Sequence, residues 1–593
     1  MFFDLLLDFV ILNLMIKDQI EHLRHSLAHL LGAAVLELYP KSKLAIGPAI
    51  ENGFYYDIDV AEVISDKDLS KIGKKMLEIL KTWKTFEGRE VSANEAKDIF
   101  PDNPYKKEII DELTKKGEKI TLYTSGSFTD LCRGGHVENA KDIKPNSFKL
   151  SHVAGAYWRG NEKNPQLTRI YGLAFATKDE LQKHLTMLEE AKKRDHKKLG
   201  PELDLFTFSD LVGSGLPLWT PKGTLLRDTL DNFVWELRKE KGYQRVDIPH
   251  ITKKDLYEKS GHWDKYKDDL FKIETREGHI YAMKPMNCPH HIQIFDRRPH
   301  SYRELPQRYA STTKVYRDEQ SGELAGLSRV LSITQDDAHV FCRFNQVDDE
   351  AAKIWDIIEK FYSAFGFKLS VRLSMSDPAN QDKYLGTRKM WDKSEEMLRG
   401  VAKSKNAEYV EAIGEAAFYG PKLDFMAKDS IGREWQVATI QLDMNMPERF
   451  DLTCINEKGE KERIAMIHAA IMGSIERFLS VIIEHYAGAF PVWLSPVQAI
   501  VLPISDNQNG WADKVYEELK DQDIRVEINK DNETLGKKIR EAEMQKIPYL
   551  LVIGEKEVES KSVAVRKRGS GDMGQVEIGN FISQTKEEIQ KKT

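Results

Sequence analysis

The sequence predicts a multidomain protein that combines α/β and α+β folds. The chain has 593 residues, which is enough for three or four domains. Near the C-terminus, the stretches VQAIVLPI, IRVEI and YLLVIG alternate with two helical stretches. This β-α-β-α-β order indicates a small α/β domain with a largely parallel sheet. Residues 204–493 mix helical and strand patterns with many aromatic residues, so a separate mixed core precedes that domain.

The N-terminal part predicts an α+β domain. Residues 20–40, IEHLRHSLAHLLGAAVLELYP, have helical spacing up to a proline, and AIGPAIENGFYYDIDV follows as a turn and an alternating strand. A charged helix over 178–198 then leads to a Gly-Pro pair at 200–201, where we expect a domain boundary. The predicted division is a tail over 1–19, a domain with its linker helix over 20–200, a domain over 201–493 and a domain over 494–593.

The first residues, MFFDLLLDFVILNLMI, are apolar apart from Asp4, Asp8 and Asn13. This stretch is too short for a normal membrane span and lacks the basic start of a signal peptide. Two interpretations remain open: a helix that docks on the protein body, or an upstream start codon with Met15 as the true first residue. We expect no membrane attachment.

Charge and cysteine content restrict the classes of partner and compartment. The net charge of −6 and the pI of about 6.3 show no global basic excess, but local clusters such as KKRDHKK and VRKR remain available for phosphate contacts. Four cysteines are too few for a disulfide framework, so we expect a cytoplasmic protein.

Three dispersed residues have the chemistry of a metal site. Cys288 lies in PMNCPHHIQIF, His339 in TQDDAHVF within a strand-like run, and His468 in IAMIHAAIMGSIERF, which reads as an apolar helical stretch. One cysteine and two histidines suit a catalytic zinc with an open fourth position. The alternative stays open at this point, because a buried histidine is more often a hydrogen-bonded core residue.

A second group of histidines is denser. His25 and His29 are four residues apart in HLRHSLAHLL and share a helix face, while Cys132 and His136 are four apart in DLCRGGHVENA. The two pairs could form one polar cleft for metal binding or acid–base chemistry. They could equally be two unrelated surface pairs.

A third group is centred on arginines. In STTKVYRDEQSGELAGLSRV, Arg317 follows a strand and Arg329 is expected on the returning strand, and GSIERF places Arg477 at the start of a helix. Guanidinium groups fork onto phosphate oxygens, so a convergent pair would clamp a nucleotide triphosphate. The chain has no P-loop motif and no dinucleotide-binding glycine fingerprint, so any ATP would bind by another route.

Taken together, these motifs resemble the threonyl-tRNA synthetases, which are class II aminoacyl-tRNA synthetases. From about residue 20 onward the family motifs occur in order: HSLAHLL, NGFYYD, DLCRGGH, SGHWDKY, KPMNCP, VYRDE, TQDDAH, AFYGPKLDF, TIQLD, NMPERFDL, IHAAIMGSIERF and DNETLGKKIRE. The resemblance implies a class II catalytic core on an antiparallel sheet, an N-terminal α+β editing domain and a C-terminal α/β anticodon-binding domain. It also implies a homodimer formed through the helix over 224–241 and the strand that runs to Pro249.

The resemblance assigns roles to the catalytic residues. It implies one Zn²⁺ per chain on Cys288, His339 and His468, completed by the amino and hydroxyl groups of L-threonine. Valine, which has no hydroxyl, would be rejected. Around this ion the implied substrate contacts are Asp337 for the threonine ammonium, Gln335 and Tyr419 along the substrate, and Gln441 beside the nucleotide or amino acid. For ATP with Mg²⁺ they are Arg317 and Arg477 on the phosphates and Glu319 on the adenine amino group, while His262 handles the terminal ribose of tRNA(Thr).

Serine also carries an amino and a hydroxyl group, so the zinc site would activate it by mistake. The resemblance therefore gives His25, His29, Cys132 and His136 the role of an editing site that hydrolyses seryl-tRNA with water and without a metal. Asp130, Tyr56 and Lys106 are further candidates there. In the C-terminal domain Asn532, Glu557 and Arg566 lie in the stretches that match anticodon contacts; ordinary surface polarity is the alternative for these three.

This sequence departs from the family pattern at several positions. Ile333 stands where an adenine-stacking phenylalanine is usual, Leu331 replaces an arginine, Ala325 replaces a histidine and Gly135 replaces a proline. The small domain that many members place before the editing domain is also expected to be missing. These departures leave one alternative in another class, a paralogue that binds tRNA as a regulator without aminoacylation. A free-standing editing factor is excluded by the catalytic motifs, and the cysteine–histidine set with the editing motifs argues against a seryl or prolyl enzyme.

The missing aromatic ring at position 333 generates a prediction. Restoring it with Ile333→Phe is expected to lower the KM for ATP, because stacking on adenine contributes about 1 kcal/mol, roughly fivefold in affinity. The measurement is ATP–pyrophosphate exchange as a function of ATP concentration. A KM for ATP that does not change on this substitution would contradict the expectation.

Overall fold

The computed structural model describes residues 2–592, with side chains described from residue 18 onward. The chain forms two compact units, one ending at Glu189 and the other beginning at Glu190. Neither of these limits tests the expected boundary at residues 200–201, which stays a prediction.

The N-terminal unit has two small sheets and a long helix. Its elements are α1 (Phe2–Leu38), β1 (Lys43–Leu44), β2 (Ala49–Ile50), β3 (Gly53–Asp59), α2 (Leu69–Leu80), β4 (Glu87–Glu90), α3 (Ala93–Ile99), α4 (Pro104–Lys116), β5 (Thr121–Ser125), β6 (Phe128–Leu131), β7 (Phe148–Tyr157), β8 (Gln166–Ala174) and the first part of α5 (Lys178–Arg194). One sheet has the order β1-β3-β8-β7 with β2 added beside β3, and the other has the order β4-β5-β6.

The core of this unit lies between α1 and the larger sheet. Leu27, Leu30, Leu31 and Ala34 are completely buried, and their spacing of three and four residues makes one continuous apolar helix face. That face packs with Tyr56 of β3, which is also fully buried. The amphipathic spacing that predicted a helix is therefore the spacing that builds this core.

The helix α1 extends without a break from Phe2, so residues 2–19 and the helix expected from residue 20 are one element. The proposed docking of the first residues on the protein body concerns side chains 1–17, which lie outside the described residues. Across the described part of the chain, no helix has both the length and the apolar composition required to cross a bilayer.

The second unit begins with a mixed region of helices and strands that contains an eight-stranded sheet. Its elements are α6 (His196–Glu202), β9 (Phe206–Thr207), β10 (Leu218–Trp219), α7 (Pro221–Glu240), β11 (Gln244–Arg245), β12 (Ile251–Lys253), α8 (Lys254–Ser260), α9 (His262–Lys265), β13 (Lys272–Glu274), β14 (Ile280–Met283), α10 (Cys288–Phe295), β15 (His300–Ser301), β16 (Gln307–Tyr316), β17 (Ser332–Cys342), α11 (Val347–Ser363), β18 (Leu369–Met375), α12 (Arg388–Ser404), β19 (Tyr409–Ile413), β20 (Lys422–Lys428), β21 (Glu434–Asp443), α13 (Asn445–Arg449), β22 (Thr453–Ile455), β23 (Lys461–Arg463), β24 (Ala465–Ser474) and α14 (Ile475–Tyr486).

The central sheet has the strand order β11-β16-β17-β24-β21-β20-β18-β19. The six inner strands run antiparallel, and only the outer pairs β11–β16 and β18–β19 are parallel. The expected antiparallel catalytic sheet is thus confirmed. Helices α7, α11 and α14 supply buried residues to the core that includes the apolar side chains of this sheet.

The local structure around two candidate residues differs from the sequence-based prediction. The stretch around His468 is the strand β24, and helix begins only at Ile475. The continuous apolar run was read as helix because a strand buried on both faces loses the polar alternation that identifies it. Arg329 lies in a turn held by an isolated bridge to Ala325, and the returning strand starts at Ser332.

The C-terminal region has the predicted α/β order. Its elements are β25 (Ala499–Pro503), α15 (Asn509–Asp521), β26 (Val526–Ile528), α16 (Leu535–Met544), β27 (Tyr549–Ile553), α17 (Glu555–Ser560), β28 (Ser562–Lys567), β29 (Gly571–Glu577) and α18 (Ile578–Lys591). The sheet order is β26-β25-β27-β28-β29, with the first three strands parallel and the last two antiparallel. The largely parallel sheet inferred from the sequence is confirmed.

A buried ion pair joins α7 to the central strands. Arg238 pairs with Asp336 of β17, and both side chains are at most 2% exposed. The Asp336 carboxylate also accepts the backbone N–H groups of Ile471 at 2.9 Å and Met472 at 3.0 Å. Burial raises the pKa of Asp336, and the Arg238 guanidinium opposes that shift. In the DDAH motif, Asp336 therefore points into the core, whereas the next residue, Asp337, faces the other side of the sheet.

This pair generates a stability prediction. Arg238→Met should destabilise the protein by about 3–5 kcal/mol at pH 7, because it leaves an uncompensated buried carboxylate. Without the arginine, the pKa of Asp336 rises further above its unfolded value, so the carboxyl binds its proton in the folded state and the loss of stability shrinks as the pH falls. Urea unfolding of wild type and variant at pH 7 and pH 5 measures both effects.

Arg276→Met, at an exposed position, serves as the control and should alter stability by less than about 0.5 kcal/mol. An Arg238→Met protein as stable as this control at pH 7 would contradict the assignment.

Candidate functional site

Three buried side chains converge at the centre of the antiparallel sheet. His339 of β17 lies directly opposite His468 of β24, and His468 in turn lies opposite Gln441 of β21. Cys288 approaches from the first position of α10. The candidate ligand atoms of Cys288, His339 and His468 all lie within 4.8 Å of one another, and each side chain is buried. The structure therefore brings together the three residues predicted as metal ligands.

Hydrogen bonds determine which imidazole nitrogens remain available in this cluster. His468 Nε2 lies 2.9 Å from Asp443 Oδ2 and donates to it, which leaves the Nδ1 lone pair free. His339 Nδ1 contacts His291 Nδ1 at 2.7 Å, and His291 Nε2 contacts Ser311 Oγ at 3.0 Å. The remaining nitrogens, His339 Nε2 and His468 Nδ1, face each other at 3.0 Å.

The electrostatics of the cluster favour neutral donors. Burial holds the pKa of His339 well below its ordinary value, so its imidazole is uncharged at neutral pH. Burial raises the pKa of the Cys288 thiol well above its ordinary value, and nearby carboxylates add to that shift. A thiolate at this position therefore requires a cation bound to it. Two imidazole nitrogens and one sulfur form a donor set that fits a zinc-like divalent metal.

The residues around this cluster form a polar pocket. Asn287 donates to Asp337 Oδ2 at 3.1 Å and reaches Gln335 Oε1 at 3.4 Å, while its own Oδ1 is buried without a hydrogen-bond partner. Burial raises the pKa of Asp337. Gln441 donates to the carbonyl of Gly420 at 3.0 Å. This arrangement leaves a carboxylate in a low-dielectric pocket, where an ammonium group would be bound strongly.

Two aromatic groups line the same pocket. The ring of Tyr419 lies 5.1 Å from that of His468, and burial raises the pKa of its hydroxyl well above its ordinary value. His262 is fully buried, with Nδ1 at 2.8 Å from Ser260 Oγ and Nε2 at 3.7 Å from Cys288 Sγ. Burial lowers the pKa of His262 to about 3, so this imidazole is neutral and only weakly basic.

The residues predicted to bind a nucleotide occupy the loop after β16 and the start of α14. Arg317 follows β16, contacts Met286 Sδ at 3.4 Å and lies 5.5 Å from the ring centre of Tyr266. Arg477 is exposed in the first turn of α14, whose cap is the Ser474 hydroxyl. Glu319 accepts two hydrogen bonds from Arg329, at 2.9 and 2.6 Å. The sequence predicted these residues, but not the pairing of Glu319 with Arg329.

Three contributors to this site were missed by the sequence analysis: Asn287, His291 and Asp443. Asn287 and His291 belong to the same NCPHH stretch as Cys288, so the motif itself contained the signal. Asp443 lies two residues after Gln441 on β21 and therefore on the same face of the strand, which alternation would have indicated.

A second cluster lies in the N-terminal unit. His25 and His29 are on α1, and Cys132 and His136 lie in the loop that follows β6. Cys132 Sγ is 3.2 Å from His136 Nε2 and 3.5 Å from His25 Nε2. The candidate ligand atoms of the four residues lie within 4.8 Å of one another. The two pairs predicted from spacing are therefore brought into one site.

This cluster opens on a cavity of about 710 Å³. His25, His29, Asp130 and Cys132 line the cavity, whereas His136 is stacked on Phe86 with ring centres 4.7 Å apart. Gly135 has φ +82°, a left-handed conformation that proline cannot adopt, and the loop keeps the four-residue spacing between Cys132 and His136.

A buried ionic network supports the cavity wall. Lys106 and Asp130 are each 2% exposed and pair at 2.5 Å. Tyr56 donates a hydrogen bond to Asp130, and Lys106 Nζ lies 3.3 Å from its hydroxyl oxygen. The structure thus joins Asp130, Tyr56 and Lys106 to the candidate site.

The protonation states of this cluster follow from burial. Burial lowers the pKa of His136 to about 2 and that of His29 well below its ordinary value, while it raises the pKa of Cys132 to about 11. The site consequently offers neutral, weakly basic imidazoles that can hydrogen-bond a water molecule, beside a thiol that stays protonated. Such a site is better suited to hydrolysis by water than to attack by sulfur.

The predicted anticodon residues occupy different parts of the C-terminal sheet. Asn532 follows β26 in an exposed loop, and Glu557 lies in α17, directly after β27. These two positions share the edge at which parallel strands end. Arg566 is on β28 opposite Leu550, toward the start of β27 and away from that edge.

Comparisons with known proteins match all three regions. A family model described as tRNA synthetase class II core domain (G, H, P, S and T) matches residues 271–486, an anticodon binding domain matches 498–588, and a threonyl and alanyl tRNA synthetase second additional domain matches 120–171. The chain is 50% identical over 572 residues to the threonine–tRNA ligase of Porphyromonas gingivalis, covering 95% of this chain and 87% of that protein. It is 49% identical over 573 residues to that of Cytophaga hutchinsonii, covering 96% and 88%.

Solved structures are similar as well. The RNA binding domain of threonyl-tRNA synthetase from Cryptosporidium parvum superposes with a TM-score of 0.63 at 36% identity, over 66% of this chain and 98% of that one. A putative threonyl-tRNA synthetase from Aeropyrum pernix superposes with a TM-score of 0.60 at 30% identity, over 67% and 96%.

The raised pKa of Cys132 generates a prediction about reactivity. Alkylation of Cys132 by iodoacetamide should be at least about tenfold slower at pH 7 than that of glutathione in the same solution, because only the thiolate reacts. The rate should rise steadily as the pH increases to 9, since this pKa lies near 11.

Peptide mass spectrometry measures the modification at Cys132, with Cys132→Ser as the control for assignment. Rapid alkylation at pH 7 would mean that the thiolate is stabilised and that sulfur is available as a nucleophile.

Proposed function

Because this chain belongs to the threonine–tRNA ligase family, we propose that it activates L-threonine with ATP and transfers the threonyl group to the 3′ end of tRNA(Thr). The observation that carries the proposal is the buried convergence of Cys288, His339 and His468 on the class II sheet. A binding module would not require this cluster beside a buried carboxylate. The remaining candidate residues supply the contacts that the two reaction steps need.

We infer that Cys288, His339 and His468 hold one zinc ion per chain. Bound there, zinc would supply an open coordination position that selects an amino acid with a hydroxyl group and rejects valine. The chain supports the two imidazoles from behind: Asp443 accepts the Nε2–H of His468, and His291 contacts Nδ1 of His339. Such outer contacts set the orientation of the ligating nitrogens.

The substrate amino acid is proposed to bind with its ammonium at Asp337. Burial raises the pKa of this carboxyl, so an arriving ammonium restores the charge pairing that the pocket otherwise lacks. Asn287 holds the carboxylate in place at 3.1 Å. Gln335, Tyr419 and Gln441 complete the walls and orient the substrate carboxylate toward the nucleotide.

In the activation step, a carboxylate oxygen of threonine attacks the α-phosphorus of ATP and pyrophosphate leaves. The residues assigned to this step act electrostatically: Arg317 and Arg477 neutralise phosphate charge together with Mg²⁺, and Glu319 accepts the adenine amino group. In the transfer step, a terminal ribose hydroxyl attacks the threonyl carbonyl and AMP leaves. His262, neutral and weakly basic, is assigned to orient that hydroxyl.

The N-terminal cluster is proposed to hydrolyse seryl-tRNA(Thr). Neutral imidazoles of His25, His29 and His136 beside the protonated Cys132 position a water molecule, whose oxygen attacks the ester carbonyl. The ester bond to the ribose then breaks, serine is released, and the ribose oxygen of tRNA(Thr) takes the proton. Asp130, tied to Lys106 and Tyr56, holds the wall of the cavity. The extra methyl group of threonine excludes the correct product, which makes this a second sieve.

The C-terminal domain is proposed to read the anticodon of tRNA(Thr) through Asn532, Glu557 and Arg566. Unstacked loop bases are recognised through their edges and by stacking, which suits the exposed end of a small α/β sheet. We further propose a homodimer in the cytoplasm, without membrane attachment.

ATP–pyrophosphate exchange with threonine, serine and valine tests the proposal. We expect exchange with threonine and serine, none above background with valine, and about one zinc per chain in the same sample. A folded, zinc-loaded protein without exchange would overturn the ligase assignment and favour the tRNA-binding regulator.

A matched pair of substitutions locates the metal. Cys288→Ser should remove most of the bound zinc and abolish exchange, whereas Cys132→Ser should retain one zinc and normal exchange but accumulate seryl-tRNA(Thr). Both variants change one sulfur to oxygen, so a difference in zinc content reports the site. Zinc that is lost from Cys132→Ser instead would place the metal in the N-terminal cluster.

A further inference from the structure

We propose that His196, at the start of helix α6, is a positioning residue for ATP binding, because it holds the loop that joins β16 and β17. This inference rests on the proposed function, since that loop contains Glu319 and begins at Arg317. His196 belongs to none of the family motifs or candidate site clusters; the sequence places it within the basic stretch KKRDHKK, far along the chain from the loop. It is 5% exposed and lies within the same compact unit as the loop.

Both ring nitrogens of His196 have defined partners. Nδ1 lies 2.7 Å from Glu484 Oε1, and Nε2 accepts the backbone N–H of Leu327 at 3.0 Å. An acceptor at Nε2 requires that the ring be neutral and that its single proton reside on Nδ1, where it is donated to Glu484. The imidazole is therefore held in one tautomer and one orientation, with its lone pair directed at the loop.

The carboxylate of Glu484 is itself fixed. Its Oε1 also accepts the backbone N–H of His196 at 3.2 Å, and its Oε2 pairs with Arg433 at 2.6 Å. Asp195 caps the helix by accepting the N–H of Lys197 at 2.8 Å. Asp195, His196 and Glu484 have the residue types of a metal site. However, both imidazole nitrogens and both Glu484 oxygens are occupied by protein partners, so positioning is the role that the contacts support.

The loop is built to receive this contact. Gly326 has φ +56°, and a Cβ atom there would lie 2.4 Å from His196 Nε2, so only glycine permits the approach. Leu327 is fully buried in the main core. Ser328 donates to the carbonyl of Ala325 through its backbone at 3.0 Å, which closes the turn. Arg329, at the end of this turn, pairs with Glu319, which lies between β16 and the turn, so fixing the turn also fixes the proposed adenine contact.

The helix α14 completes the connection. Near its start, Glu476 accepts the backbone N–H of Thr334 at 2.7 Å, at the beginning of β17. Near its end, Glu484 holds His196. One rigid helix thus positions the strand after the loop directly and the tip of the loop through His196. The same helix carries Arg477, the second proposed phosphate contact.

Two isosteric substitutions separate the two contacts. His196→Gln places an amide oxygen near the former Nε2 position, so it can still accept from Leu327. His196→Asn places its amide near the former Nδ1 position, so it can still donate to Glu484 but cannot reach the loop. We expect His196→Asn to raise the KM for ATP about tenfold with a KM for threonine within twofold of wild type, and His196→Gln to stay within about threefold for both.

A readout that does not depend on activity accompanies the kinetics. Hydrogen exchange at the Leu327 amide, without substrates, should lose its protection in His196→Asn and keep it in His196→Gln. The exposed His279→Asn is the matched control and should change neither quantity. Gly326→Ala disturbs the contact from the loop side, should raise the KM for ATP like His196→Asn, and should not add to it in the double variant.

The proposal is overturned by a wild-type KM for ATP and normal Leu327 protection in His196→Asn, by equal increases in the KM values for ATP and threonine, or by a His196→Gln protein as impaired as His196→Asn. If His196→Asn fails to fold, the proposal is tested by the KM for ATP of the other two variants: it should rise in Gly326→Ala and stay within about threefold of wild type in His196→Gln. Absence of exchange in the wild type would refute the ligase function instead, while the exchange protection at Leu327 would still test the contact.

Discussion

The register of three antiparallel strands is the constraint on which the candidate catalytic site depends. His339, His468 and Gln441 occupy directly opposed positions on β17, β24 and β21, so their side chains meet on one face. A slip of one residue in any of these pairings would send a member of the set to the opposite face. The Arg238–Asp336 pair lies on the other face of β17 and ties that strand to α7. One face of β17 therefore contributes Asp336 to the core, and the other face contributes His339 to the candidate site.

Burial sets the chemistry of both histidine clusters. Burial lowers the pKa of His339 in one cluster and of His29 in the other, and it raises the pKa of the cysteine thiol in both. The surroundings differ. The cluster of Cys288, His339 and His468 is supported by Asp443, and its cysteine is fully buried. The N-terminal cluster instead opens on a large cavity, where a water molecule and an ester can enter. Similar residues therefore support different proposed reactions.

Helix α14 links the sheet to its loops. Its two buried glutamates, Glu476 and Glu484, act at opposite ends, one on the start of β17 and the other on His196. Loops that bind substrates usually gain precision from rigid elements beneath them. Here the support for the loop after β16 comes from a residue more than a hundred positions earlier in the chain. Such a contact leaves no local pattern in the sequence.

The sequence by itself determined the domain types, the parallel order of the C-terminal sheet and the identity of both cysteine–histidine clusters. It could do so because amphipathic spacing and ordered motifs are local properties. It misassigned the strand around His468, since a strand buried on both faces carries no alternation, and it did not find Asn287, His291, Asp443 or His196. Only the tertiary structure decided which nitrogen of each imidazole is free, which of the adjacent aspartates 336 and 337 enters the core, and how His196 meets Leu327. These features arise from strand register and from contacts between distant segments, which no single stretch of sequence specifies.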